Sequence, residues 1–195
     1  MKNNNEDSYL RLIYIRHADK EYSNGDANIY KHDPGITETG VKNAKLVCNH
    51  LIEQYGIPIL VLVSPYKRTR ETAETMLSQI DKIDKKKIMF IDTELSEYLG
   101  NHRNVPIDVH DKTRIYNPPH PETFAQMKTR VKSHQNKIQV YSSYKKTGVV
   151  WVITHGLIMK QIAKLNGINI SKEFPPLTCL SIIKDNDIIK GEVLT

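Results

Sequence analysis

Cysteine is scarce in this chain: Cys48 and Cys179 are the only two. Two residues so far apart give neither a disulfide framework nor the spacing of a metal site. A reducing, cytoplasmic setting is therefore the expectation. Long apolar runs are also missing. The longest, Ile57 to Val63, is too short to cross a bilayer, so no membrane association is expected. Met1 to Ser8 is polar, carries Glu6 and Asp7, and lacks the basic start and apolar core of a leader peptide. It reads as a loose tail. Aromatic residues make up only 7% and are not interleaved with basic ones, which argues against a nucleic-acid partner. No repeat or low-complexity segment is visible.

What remains is the composition of an ordinary globular protein: 195 residues, 39% hydrophobic and 26% charged, enough for one sizeable core spanning the whole chain. Lysine and arginine outnumber aspartate and glutamate by 28 to 22, a net charge of +6 that favours anionic partners. The excess is spread along the chain. Its one tight run, Lys85-Lys86-Lys87, reads as a solvated loop.

Short β-type runs alternate with helical periodicity. Arg11 to Ile15 is a strand ending in Arg16-His17, followed by a polar loop from Ala18 to Gly35. Thr37 caps a helix whose face is Val41, Ala44, Cys48, Leu51 and Tyr55, and Gly56 closes it. Ile59 to Val63 is a buried strand ended by Ser64-Pro65. Thr69, Ala73, Met76 and Ile80 mark a second helix, and Ile88 to Ile91 a third strand. Thr93 to Pro121 has no period and four prolines, so it is a long excursion. Phe124, Met127, Val131, His134, Ile138 and Tyr141 form a further helical stripe, read as core. Val149 to Ile153 is a strand ended by Thr154-His155-Gly156, Leu157 to Leu165 a helix, and Leu177 to Ile183 a last strand. This alternation predicts an α/β protein, a three-layer α/β/α sandwich around a mostly parallel open sheet. Ligands bind such sheets beyond the carboxyl ends of the strands.

Three of those ends carry residues suited to a phosphate: Arg16-His17, Ser64 with Arg68 just inside the next helix, and Thr154-His155. Phosphoryl transfer to a side chain needs a nucleophile in line with the leaving oxygen, cations on the equatorial oxygens, and an acid for the leaving group. Imidazole serves as nucleophile when one ring nitrogen is bare and the other is pinned, and arginine clamps phosphate with paired donors. His17 is the candidate nucleophile, Arg16 and Arg68 the clamps, His155 a further cationic donor, and Glu97 the acid. Arg70 and Glu94 compete with Arg68 and Glu97. Arg68 is favoured by its spacing from Ser64.

These segments resemble the histidine phosphatase superfamily, also called phosphoglycerate-mutase-like. Ile13-Tyr14-Ile15-Arg16-His17 looks like its RHG-type signature strand, and Gly35 to Gly40 resembles the L-T-x-x-G helix start. Ser64 to Ala73 is similar to the S-x-x-x-R-(A/T)-x-x-T-A segment with its phosphate-binding arginine. Leu95-Ser96-Glu97 with Leu99-Gly100 is similar to the L-x-E…G segment with its proton-donating glutamate, and Val152 to Gly156 to the terminal (S/T)-H-G. The matches run in the family's order from Leu12 to Leu165. The resemblance implies a phosphoglycerate-mutase-like fold and two-step hydrolysis through phosphohistidine on His17. Glu97 would act first as acid and then as base, without metal or other cofactor.

There are departures. The signature glycine is Ala18, where a positive φ would be costly. Lys20 replaces the usual Thr or Ser, and Ser23 replaces an asparagine, with Asn24 one place later. Lys20, Ser23, Asn24 and Gly156 form the expected substrate-binding rim. Asp19 and Glu21 read as rim or structural residues.

His102, His110 and His120 lie in the excursion with Asp108 and Asp111, at spacings that match no standard metal motif. Arg103 and Arg114 in the same stretch point to either substrate or solvent. The expected partner is a small phosphorylated substrate or a phosphoprotein. Other readings are a phosphoglycerate-type mutase and a non-catalytic module that binds phosphorylated ligands. The compact chain favours hydrolysis over the mutase, and the filled catalytic positions argue against the binding module.

Overall fold

A computed structural model describes residues 9–21, 33–98, 100, 121–185 and 188–194. Ser23, Asn24, the tail before Tyr9 and the excursion residues Leu99, His102, Arg103, Asp108, His110, Asp111, Arg114 and His120 lie outside the described residues.

Six strands form one mixed sheet. They are β1 (Leu10–Arg16), β2 (Leu60–Val63), β3 (Met89–Ile91), β4 (Gly148–Thr154), β5 (Cys179–Asp185) and β6 (Ile188–Leu194), in the order β3-β2-β4-β1-β5-β6. The pairings β3–β2, β2–β4 and β4–β1 are parallel, whereas β5 runs antiparallel to both β1 and β6. The α-helices among the described residues are α1 (Glu38–Tyr55), α2 (Lys67–Leu77), α3 (Lys85–Ile88), α4 (Phe124–Tyr144) and α5 (Gly156–Leu165). None of the described helices is long and apolar enough to cross a membrane.

Strand alternation builds two cores. Ile13 and Ile15 of β1 and Trp151 and Ile153 of β4 face α1 and α2, packing on Ala44, Cys48, Leu51, Ala73 and Met76. Leu12 and Tyr14, with Val150 and Val152, face the opposite way onto Met127, Val131 and Ile138 of α4 and Ile158 and Ile162 of α5. The three layers expected from the sequence are present. The central strands are buried on both faces, which is why they read as continuous apolar runs.

Local signals hold where they rest on specific chemistry. Thr37 caps α1 by accepting from the Gly40 N–H at 2.9 Å, and Gly56, at φ 84°, closes it. Other expectations change. The helix expected to reach Ile80 ends at Leu77, with Ile80 buried just beyond it. Lys85 to Lys87 belong to the short helix α3, capped by Asp84, rather than to a loop. Phe124 is 44% exposed and meets Tyr98 edge-on, so the α4 stripe starts at Met127 and includes buried Arg130 and His134. The strand β6 has no clear sequence signal, because Lys190, Gly191 and Glu192 interrupt its apolar residues.

Candidate active site

The carboxyl ends of β1, β2 and β4 lie side by side and deliver His17, Ser64 and His155 to one place. The His17 N–H donates to the Thr154 carbonyl at 3.0 Å, and the Ser64 N–H to the Ile153 carbonyl at 3.0 Å. The rings of His17 and His155 are 5.3 Å apart between centroids, edge to face at 63°. Both are buried, at 3% and 1% exposure.

His17 is held in one tautomer. Its Nδ1 donates to the Ala18 carbonyl at 2.8 Å, which leaves Nε2 as the bare nitrogen. Burial, then the charge of Arg68, then those of Arg16 and Lys20, lower its pKa to about 3 against the pull of the Ala18 carbonyl. The ring is therefore neutral at physiological pH. The Ala18 N–H donates to Thr72 Oγ1 at 3.0 Å, and Thr72 in turn donates to the Arg68 carbonyl at 2.6 Å. Ala18 does not adopt positive φ, so the expected backbone cost of replacing glycine there does not arise. Gly40 is the position that needs glycine. A Cβ on it would stand 2.9 Å from the Asp19 carbonyl oxygen and 3.3 Å from the Ala18 methyl.

Arg68, second residue of α2, is 2% exposed. Its Nη2 donates to Glu97 Oε2 and, at 3.3 Å, to His155 Nδ1, and its guanidinium lies 4.5 Å from the Tyr66 ring centroid. His155 Nε2 then donates to Ser64 Oγ at 2.9 Å. Burial, followed by the charges of Arg68 and its neighbours, holds the His155 pKa well below the ordinary value. His155 is thus a neutral donor here, not the cation expected from the sequence.

Arg16 ends β1 and donates to the Phe174 carbonyl. The Nε atoms of Arg16 and Arg68 are buried without a hydrogen-bond partner among the described residues. Unmet guanidinium donors beside two histidines form a site that an oxyanion would satisfy. Gly156, first residue of α5, sits against Arg16, where a Cβ would touch the guanidinium at 3.6 Å in ordinary contact. Space alone therefore does not demand glycine there. Leu177, at φ 62°, donates its N–H to the Arg16 carbonyl at 3.1 Å from behind the site.

The competing residues separate. Arg68, not Arg70, makes the bonds to Glu97 and His155. Glu94 is engaged elsewhere, by Ser133 Oγ at 2.7 Å and Lys137 Nζ at 2.9 Å. Lys20 pairs through its backbone with Ile36 and adds positive charge near His17. Asp19 and Glu21 use their backbones to bond Thr37 and Gly35, at 2.9 and 3.0 Å. No group of three His, Cys, Asp or Glu among the described residues is placed to hold a metal ion.

Ser64, expected at a strand end suited to a phosphate, bonds His155 and orients its ring. One further residue of the site, Asp33, was not foreseen. Asp33 accepts from the Lys67 N–H through both oxygens, at 2.9 and 2.8 Å, and from Arg68 Nη1 at 3.5 Å. Burial raises its pKa despite the Lys67 N–H and Arg68.

Comparison with known proteins bears on the family and the fold. Residues 12–184 match the histidine phosphatase superfamily (branch 1) profile. An uncharacterized chloroplastic protein of Arabidopsis thaliana is 32% identical over 100 residues, which cover 47% of this chain and 45% of that protein's length. Among solved structures, the α-ribazole phosphatase of Shigella flexneri superposes with a TM-score of 0.67 at 21% identity, over 94% of this chain and 95% of that one. The protein histidine phosphatase SixA complexed with tungstate gives 0.64 at 17% identity, over 93% and 94%. The phosphoglycerate mutase of Bacillus anthracis gives 0.65 at 17%, over 97% and 94%. At such identities the superpositions speak to the fold, whereas the profile covers nearly the whole chain. By its sequence and by the fold that carries it, this chain belongs to the histidine phosphatase superfamily, branch 1.

Proposed function

We propose that the protein hydrolyses phosphate monoesters through a phosphohistidine on His17. The observation that carries this reading is the bond from His17 Nδ1 to the Ala18 carbonyl at 2.8 Å, in a ring kept neutral beside Arg68. It directs a bare Nε2 into a cationic pocket, as an imidazole nucleophile requires.

In the first step Nε2 attacks phosphorus, the N–P bond forms, and the bond to the ester oxygen breaks. Arg16 and Arg68 hold the equatorial oxygens, where transition-state charge gathers, and His155 turns its one N–H, given to Ser64 Oγ in the free protein, to the phosphoryl group. Glu97, the carboxyl group bonded to Arg68, is assigned the proton transfer to the leaving oxygen; its contact with Arg68 supports that role by keeping it beside the cationic pocket. In the second step it takes a proton from the water that attacks the phosphohistidine. Phosphate leaves and Nε2 is restored. The guanidinium groups supply the charge compensation that a metal ion gives in other phosphatases, so the reaction runs without one. Lys20, beside the nucleophile, and Gly156, beside Arg16, meet the rest of the substrate.

The test is hydrolysis of a chromogenic aryl phosphate in excess chelator. The wild type turns over and His17→Ala does not. Activity that appears only with added divalent metal contradicts the proposal.

A further inference from the structure

Three carbonyl groups immediately before Glu97 are pinned. Arg130 Nη1 donates to the Glu94 carbonyl at 2.6 Å and to the Ser96 carbonyl at 2.9 Å. Thr154 Oγ1 donates to the Leu95 carbonyl between them at 2.8 Å. The remaining donors of Arg130 grip one carboxylate: Nε meets Glu122 Oε1 and Nη2 meets Glu122 Oε2, both at 2.8 Å. Arg130 is 7% exposed and Glu122 3%. The Glu122 N–H donates to the Gly100 carbonyl at 3.3 Å. The pair thus ties the backbone just before residue 97 to Glu122 at the entrance of α4, with α4 as the anchor.

We propose that Arg130 is a positioning residue for proton transfer, with Glu122 as its fixed counter-ion. This rests on the reading of Glu97 as the proton donor. A buried ion pair is a poor device for stability alone, since apolar residues of the same volume pack as well or better. An apolar pair, however, cannot hold two carbonyls, and those two belong to the backbone that leads into Glu97. With them fixed, the Glu97 carboxylate has little freedom beyond its own side chain. When the P–O bond to the substrate breaks and the N–P bond to His17 forms, the proton on Glu97 must lie within hydrogen-bond reach of the departing oxygen. A displacement near 1 Å at that point costs up to about 100-fold in rate.

The test compares kcat/KM for an alkyl phosphate, whose leaving group needs a proton, with that for dinitrophenyl phosphate, whose leaving group does not. The variants are Arg130→Lys, which keeps the charge but cannot span both carbonyls, and the apolar double variant Arg130→Met with Glu122→Leu. Glu97→Gln is the reference. The alkyl ester should lose about 10- to 100-fold more than the activated ester in Arg130→Lys or the double variant, approaching the 100-fold or greater gap general-acid loss gives Glu97→Gln. If Glu97→Gln opens the gap and the folded Arg130 variants slow both esters equally, the positioning role is overturned and the Glu97 reading stands. If Glu97→Gln opens no gap, both fall.

Discussion

The backbone N–H of Ala18 donates to Thr72 Oγ1 at 3.0 Å, and Thr72 donates to the Arg68 carbonyl at 2.6 Å. One buried hydroxyl thus links the residue that pins the His17 tautomer to the helix turn that carries the Arg68 guanidinium. Thr72→Val keeps the shape but leaves the Ala18 donor unmet, which costs about 1–3 kcal/mol. The expected outcome is lower stability in urea and a kcat that falls more than KM rises, with Thr72→Ser restoring both. An unchanged kcat would show that the link does not serve the nucleophile.

Ala18 stands where relatives of this superfamily carry glycine, yet its backbone lies outside the left-handed region and its methyl is fully buried. Ala18→Gly therefore frees the unfolded chain and opens a small void, for a loss of about 1 kcal/mol. Thermal unfolding should show a lower Tm with no gain in kcat. A more stable or faster variant would mean that alanine is strained here.

Both site histidines are held neutral by burial first and by Arg68 second. In the unfolded chain they titrate near 6.5, so below that pH the unfolded state binds more protons than the folded one. Stability therefore rises with pH over this window and is lost as pH falls from about 6.5 towards the folded His17 value of about 3. For His17 the expected loss is about 2 kcal/mol between pH 7 and 5, and His155 adds to it in the same direction. His17→Asn removes one of the two, so urea titrations should show a smaller pH 7 to pH 5 difference than in the wild type. Equal differences would mean that His17 is not held neutral in the fold.

Asp33 places a carboxylate against Arg68 and the first turn of α2. It opposes any dianion that Arg68 binds. Asp33→Asn should lower the inhibition constant of inorganic phosphate by about three- to tenfold, the scale of one partly screened charge. Unchanged or weaker inhibition would assign the carboxylate to positioning Arg68 instead.

The sequence announced the residues that end strands and little of what surrounds them. Arg16, His17, Arg68 and His155 follow apolar runs that must be central strands, so topology brings them together however distant they are in the chain. Thr37 was legible because a cap demands a residue type, whereas Gly40 was read only through its resemblance to the L-T-x-x-G helix start, its close contact with Asp19 being visible only in the fold. Arg130 and Glu122 were not, because a reading tuned to apolar spacing passes over polar residues in a buried stripe. Asp33 belongs to a loop whose partners lie on another element. The cationic role expected of His155 failed for a different reason. Charge depends on burial and on which guanidinium donates to the ring, and spacing reports neither.

The most direct test is a rapid-quench reaction with phosphorus-labelled substrate, followed by proteolytic mapping. The account predicts label on the peptide containing His17, stable to base, labile to acid, and chased by unlabelled substrate. Label on His155 or another residue, or no label while product accumulates, would contradict it.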